Sequence, residues 1–308
     1  MPDFSSALTS FMSVFTHLGD GPVQIVVIGA LYWLFSREMA TRLAVLLMVS
    51  GALNGLLKQS FAAPRPSWTG SGLGSTMTLS SFGMPSGHAQ SATVWFLLPQ
   101  QTRHVQLLCW VFLYVFAMGY SRVVTGVHSW DQVFMGWAIG MACLQAYLWV
   151  EPRVVNALGE LSPVTVGLVV SSVIVGVIYL SADTVSRIPE ASLATWQEYA
   201  DRQGIVGAGP AGLRHILAPL GCLTGFIAGA WLDTKEAWRP AQNWQNGLSR
   251  FVIGVLVTGG LYVLLKAVLP IDGETVAALT LRFAAAAFLG FSAFYVAPKV
   301  MRRVGLFD

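Results

Sequence analysis

Residues 42–60 read RLAVLLMVSGALNGLLKQS. Between Arg42 and Lys58 the stretch carries no charge, and an α-helix needs about 20 mostly apolar residues to cross the hydrocarbon of a bilayer. It is therefore read as a membrane span with a lysine at its far end. Runs of the same kind recur on both sides of it, at 22–36, 86–101, 104–121, 131–150, 163–181, 211–232, 250–269 and 276–298. Continuous runs predict helices; a β-barrel would show alternating segments of about ten residues. The expected fold is all-α, a polytopic transmembrane bundle of about nine spans. Residues 3–18 are too short and too polar to cross and read as an interfacial helix. Asp20-Gly21-Pro22 reads as a turn before the first span.

Composition agrees with this reading. The 308 residues are 55% hydrophobic and 11% charged, with a mean hydropathy of +0.62, whereas a soluble domain carries about 25% charge. That excludes a water-soluble globule and a disordered chain, and a net charge of +3 gives no reason to expect a nucleic-acid partner. Eleven tryptophans suit anchoring at membrane interfaces. Cys109, Cys143 and Cys222 all sit inside apolar runs, which offers neither a disulfide framework nor metal-ligand spacing. No Lys or Arg precedes Arg37, so the basic start of a signal peptide is missing and the first run is expected to be retained.

Nine spans put the termini on opposite sides. Arg37, Arg42, Arg103, Arg153, Lys235, Arg239, Arg250, Lys299, Arg302 and Arg303 collect on the side reached after the first span. The opposite side collects Arg187, Arg202, Arg214, Lys266 and Arg282, together with three motif cations. The positive-inside rule then makes the first side cytoplasmic, with the N-terminus outside and the C-terminus inside.

Three segments fall at span ends on the non-cytoplasmic side: Lys58-x6-Arg65-Pro66, Pro85-Ser86-Gly87-His88 and Ser121-Arg122-x5-His128. They gather three cations, two histidines and a Ser-Gly at a helix start. Arg65 and Arg122 offer planar forks to phosphate oxygens, and Lys58 adds a point charge. Ser86 suits an N-cap, and the Ser86 and Gly87 N–H groups at a helix start favour an anion. Two histidines divide a phosphoryl transfer between attack on phosphorus and protonation of the leaving oxygen.

The three segments, in order and in full, resemble the signature of the type 2 phosphatidic acid phosphatase superfamily. That superfamily includes glucose-6-phosphatase, polyprenyl diphosphate phosphatases and vanadium haloperoxidases. The resemblance is firm over roughly 50–140. It implies that His128 is the nucleophile forming a phosphohistidine and His88 the general acid. Lys58, Arg65, Ser86, Gly87 and Arg122 would form the phosphate cradle. It implies no metal and no cofactor. Many members place an Asp four residues after the nucleophile; here that position is Gln132, as in the glucose-6-phosphatase and dolichyl diphosphatase variants, and Asp131 is one residue earlier. Both share a helix face with His128. Asp131 is preferred as the orienting residue for its charge, with Gln132 as the alternative.

The chain is expected to divide into an interfacial N-terminal helix over 1–21, a phosphatase core over 22–150 and a C-terminal transmembrane extension over 151–308. The resemblance implies an integral membrane phosphatase acting on a lipid phosphate or polyprenyl diphosphate; with the basic-residue count, the expected setting is a bacterial inner membrane with a periplasmic active site, or a lumenal one in a eukaryote. The alternatives are a sugar-phosphate phosphatase and a phosphate-binding transporter or scaffold. Its partners are then the lipid substrate and the bilayer, with the oligomeric state open. Outside the motifs, Asn54 reads as an interhelical hydrogen-bonding residue, and His104 and His215 as interfacial. Lys266 and Arg282 read as snorkelling to the surface, and the glycines at 136 and 140 and at 221, 225 and 229 as close helix contacts. The loop 182–210 is expected to hold a short amphipathic helix on the membrane surface.

Overall fold

In the computed structural model, residues 4–70, 79–205, 209–271 and 273–307 are described. The Gly/Ser/Thr-rich middle of the 61–84 loop, residues 71–78, lies outside them. The described residues form helices and contain no strand. In chain order the helices are α1 (Phe4–Thr16), α2 (Gly21–Leu34), α3 (Arg37–Phe61), α4 (Pro66–Thr69), α5 (Gly87–Val94), α6 (Leu97–Thr102) and α7 (Val105–Val124). There follow α8 (Trp130–Gly159), α9 (Pro163–Ser186), α10 (Glu190–Gln203), α11 (Arg214–Asp233), α12 (Trp244–Val268), α13 (Val276–Phe291) and α14 (Ala297–Arg303).

Among the described residues, seven helices are long and apolar enough to cross a membrane, and an eighth arises if α1 and α2, bent by 57° at residue 20, count as one. The fold is thus a polytopic helical bundle. The expected nine spans are compatible with it, the further crossings being α2 alone and the α5–α6 pair. The latter is interrupted at Trp95–Phe96. Pro99 has no N–H for the Trp95 carbonyl, four residues earlier, and that carbonyl accepts instead from the Leu98 N–H at 3.1 Å, a tighter turn at the break.

The central helix is α3. Ser36 caps its start by accepting from the Met39 N–H, and it ends where Ala62 turns left-handed before Pro64 and Pro66. It packs against α2, α5, α8, α9 and α11. Tyr32, Trp33, Leu43, Leu46, Phe226 and Phe294 form the largest core cluster. A π-turn at Ser292–Val296 separates α13 from α14; there Trp33 Nε1 donates to the Ala293 carbonyl at 2.7 Å, and Tyr32 stacks on Phe294 with centroids 4.0 Å apart. Gly221, Gly225 and Gly229 on α11 face the backbone of α13 and the π-turn, so that seam is internal to the chain. At the end of the bundle opposite Lys58, the fully buried Asp233 accepts from Tyr32 Oη at 2.8 Å and pairs with Arg37 at 2.8 Å and with Arg302.

The short helix expected within 182–210 is α10, and its aromatic face packs on α4. Trp196 and Tyr199 pack on Trp68 of α4, with centroids 4.9 and 6.3 Å away, and Arg202 donates to the Trp68 carbonyl at 3.0 Å.

Candidate active site

The three motifs converge at one end of the bundle. Lys58 lies in the last turn of α3, Arg65 is the N-cap of α4, His88 opens α5, Arg122 closes α7, and His128 sits in the loop before α8. Lys58, Arg65, Arg122 and His128 are 6%, 3%, 2% and 3% exposed. The α5–α8 crossing sets this arrangement. Gly136 of α8 lies so close to α5 that a Cβ there would stand 2.6 Å from the Ser86 carbonyl oxygen. The Ser86 N–H in turn donates to the Gln132 carbonyl at 3.0 Å.

His128 is held at both ring nitrogens. Nδ1 is 2.9 Å from Gln132 Oε1, and Gln132 Nε2 donates to the Pro64 carbonyl at 3.0 Å. The amide oxygen can only accept, so Nδ1 carries the proton and the lone pair is on Nε2. That nitrogen faces Arg65 Nη1 at 3.0 Å. Burial, followed by the charges of Arg65, Lys58 and Arg122, holds the His128 pKa well below its ordinary value. The imidazole is therefore neutral, as a nucleophile requires.

Asp131, expected to orient this ring, does not do so. It is exposed on the first turn of α8, and Gln132 makes the contact instead. A side chain that must also donate to the Pro64 carbonyl needs an amide, which a carboxylate cannot replace. The Ser86 N–H is also corrected: it is engaged by Gln132 and does not point at an anion. The Ser86 hydroxyl makes no cap bond; Ser86 Oγ and Arg122 Nε are buried and have no hydrogen-bond partner among the described residues. Gly87 lies under Asn54, whose Oδ1 would be 3.0 Å from a Cβ. Asn54 bridges to Pro85 and Gln90, at 3.3 and 2.8 Å, as an interhelical link.

Among the described residues, the three cations have no carboxylate as a hydrogen-bond partner. Lys58 donates to the Phe82 carbonyl. Arg65 donates to the Ser81 carbonyl at 2.6 Å, to Ser81 Oγ at 2.8 Å and to the Val127 carbonyl at 2.9 Å. Arg122 Nη1 donates to Thr16 Oγ1 of α1. Buried positive charge of this kind calls for an anion, and two buried donors remain to receive one. Among the described residues no three His, Cys, Asp or Glu side chains come together as a metal site.

Three contributions escaped the sequence. Asp20 lies 3.1 Å from His88 Nε2; a turn before a span carries no sign of a partner 68 residues on. Arg214 donates to the Ser80 carbonyl and hydroxyl at 3.3 and 3.1 Å. Ser80, Ser81 and Phe82 are thus gripped in turn by Arg214, Arg65 and Lys58. Finally, the His215 backbone carbonyl and Ile216 lie against Gly55, one turn before Lys58, so His215 is not merely interfacial. Arg282 donates to the Ile271 carbonyl at 2.9 Å, closing its own loop, while Lys266 is exposed.

A family model described as the PAP2 superfamily matches residues 39–155, and one described as the transmembrane extension of PAP2 superfamily phosphatases matches 217–308. The chain is similar to dihydrosphingosine 1-phosphate phosphatase YSR3 of Saccharomyces cerevisiae, 28% identical over 148 residues, which is 43% of this chain and 36% of that protein. It is also similar to dolichyldiphosphatase 1 of Mus musculus, 27% identical over 177 residues, or 51% of this chain and 69% of that one. The match therefore spans little more than a third of the yeast protein's length. No solved structure matches the chain.

Proposed function

Since the chain belongs to the PAP2 superfamily, we propose that it is an integral membrane phosphatase that removes phosphate from a lipid phosphate or polyprenyl diphosphate. The observation that carries this reading is the buried cluster of Lys58, Arg65 and Arg122, which among the described residues hydrogen-bonds no carboxylate, beside two donors, Ser86 Oγ and Arg122 Nε, that have no hydrogen-bond partner among those residues. A phosphate dianion supplies the missing charge and accepts from both donors.

His128 Nε2 attacks phosphorus in line. The N–P bond forms as the bond to the leaving oxygen breaks, and His88 gives that oxygen a proton. His88 then takes a proton from water, the water attacks the phosphohistidine, and inorganic phosphate leaves with His128 neutral again. No step calls on a metal, because the cations carry the charge stabilisation. A lipid substrate fits a site at the ends of apolar helices: its head group arrives by lateral diffusion while each buried CH₂ contributes about 0.8 kcal/mol. The same reading has the site facing the periplasm of a bacterial inner membrane and treats 22–150 as the catalytic core, with 151–308 as its extension.

The test is phosphate release by the purified full-length protein from polyprenyl diphosphate, phosphatidate, phosphatidylglycerophosphate and glucose 6-phosphate. Activity on a lipid is expected to survive EDTA, to be inhibited by vanadate and to vanish in His128→Ala. A strict Mg²⁺ requirement or a wild-type rate in His128→Ala refutes the mechanism. A clear preference for glucose 6-phosphate refutes the substrate class.

A further inference from the structure

The carboxylate nearest His88 comes from outside all three motifs and outside residues 39–155. Asp20 is the N-cap of α2, at the end of the tight turn His17–Gly19 that follows α1. Its Oδ1 lies 3.1 Å from His88 Nε2, and its Oδ2 lies 2.7 Å from His17 Nδ1. The turn is fitted to the imidazole: a Cβ at Gly19 would fall 3.2 Å from His88 Cγ and 3.2 Å from Met118 Cε. α1 also reaches the cradle through Thr16, which accepts from Arg122.

The charges facing His88 make this contact consequential. Arg122 faces it from α7 and Arg65 from the start of α4, both positive; Asp20 faces it from the 17–20 turn, with His17 beyond. Burial acts to raise the Asp20 pKa, but the hydrogen bonds from His88 and His17 outweigh it and lower it, so the carboxylate is ionised. A general acid must hold a proton, and burial, then the Arg122 and Arg65 guanidinium groups, oppose that. Asp20 is the counter-charge in contact with the ring. Because it takes the Nε2–H, the nitrogen left for chemistry is Nδ1, which makes no hydrogen bond among the described residues.

We propose that Asp20 is a positioning residue that favours the protonated form of His88 and aims its Nδ1–H at the leaving oxygen, with His17 steadying the second carboxylate oxygen. The inference rests on the phosphatase reading above. Asp20 keeps the Nε2–H bond throughout. The proton that moves is the one on Nδ1; it passes to the leaving oxygen as the P–O bond breaks and is replaced from the attacking water. The closest formal parallel is a carboxylate that orients an imidazole and stabilises its charged form without taking the proton.

Leaving-group dependence tests this. Full-length wild type, Asp20→Asn, Asp20→Glu and His17→Ala are assayed in one detergent on a long-chain alkyl phosphate and on 4-nitrophenyl phosphate. The first leaving group needs a proton and the second departs without one. Asp20→Asn is expected to lose about 100-fold on the alkyl ester and less than about 5-fold on the aryl ester. Asp20→Glu should recover most of that loss, and His17→Ala should fall between Asn and wild type. The alkaline limb of the alkyl-ester kcat profile should move to lower pH in Asp20→Asn. The ratio between the two esters does not depend on how much of a variant folds. Equal losses on both esters, an unchanged alkyl-ester rate, or an unmoved alkaline limb overturns the role of Asp20 alone. A wild-type protein that releases phosphate from neither ester overturns the phosphatase reading itself.

Discussion

Replacing Gln132 with leucine tests how His128 is made a nucleophile. The amide has two bonds to lose, to His128 Nδ1 at 2.9 Å and to the Pro64 carbonyl at 3.0 Å, at a position 5% exposed. Leucine keeps the bulk and leaves two buried polar groups without partners, at about 1–3 kcal/mol each. The imidazole cannot recover by moving its proton to Nε2, because that nitrogen faces the donor Arg65 Nη1. The ring must tilt or hold its lone pair out of line. A misalignment worth about 1–3 kcal/mol in the transition state corresponds to a factor between about 5 and 150, so kcat should fall about 10- to 100-fold. KM should hardly move, since Gln132 faces the imidazole and the Pro64 carbonyl. Asp131→Asn is the control: its carboxylate is exposed, and kcat should stay within about 2-fold. The assay is saturation kinetics of phosphate release in micelles, with thermal unfolding to correct for folded fraction. A Gln132→Leu variant retaining more than half of kcat, or an Asp131→Asn variant losing about 10-fold, refutes the assignment.

Three other outcomes are expected. Gly136→Ala places a methyl 2.6 Å from the Ser86 carbonyl oxygen, so α5 must move by a sizeable fraction of an ångström; kcat should drop about 10-fold or more with a modest loss of stability, and an unchanged kcat would show that the crossing does not set the site. The His128 pKa is held low by burial and by Arg65, Lys58 and Arg122, so the unfolded chain binds a proton that the folded one refuses. The His128 contribution is therefore intact above about pH 6.5 and is lost below it at about 1.4 kcal/mol per pH unit, a slope missing from His128→Asn; parallel wild-type and variant stability curves from pH 7.5 to 5.5 would contradict this. In a background lacking the exposed Cys109, a cysteine at Thr69 should react with an impermeant label from outside intact cells, and one at Gln242 only after permeabilisation; reversed labelling would invert the orientation.

The spans were legible because length and hydropathy alone determine whether a helix can cross a bilayer, and each apolar run overlaps a helix or a broken pair. The break in α5–α6 and the inward turn of α10 were not, since Pro99 acts on a carbonyl one turn earlier and Trp196 finds Trp68 from a distant segment. Within the site, residue types and spacing brought Lys58, Arg65, Arg122, His88 and His128 to one end. The choice between Asp131 and Gln132 was not legible. It turns on one residue of helical rotation and on the Pro64 carbonyl, a backbone group that no sequence pattern marks. Asp20 was hidden for a related reason: turn residues look alike until the partner they face is known.

The Asp233 cluster has a consequence for the order in which the protein is made. Tyr32 and Arg37 leave the ribosome about two hundred residues ahead of Asp233, and Arg302 follows nearly seventy later. Tyr32 and Arg37 thus share in Asp233 a partner that is made long after them. In the finished fold Asp233 joins α2 and the start of α3 at that end. Arg302 then closes the cluster from the last helix. The first turn of α3 and the C-terminal helix share this one carboxylate, so the cluster is complete only once nearly the whole chain has been made.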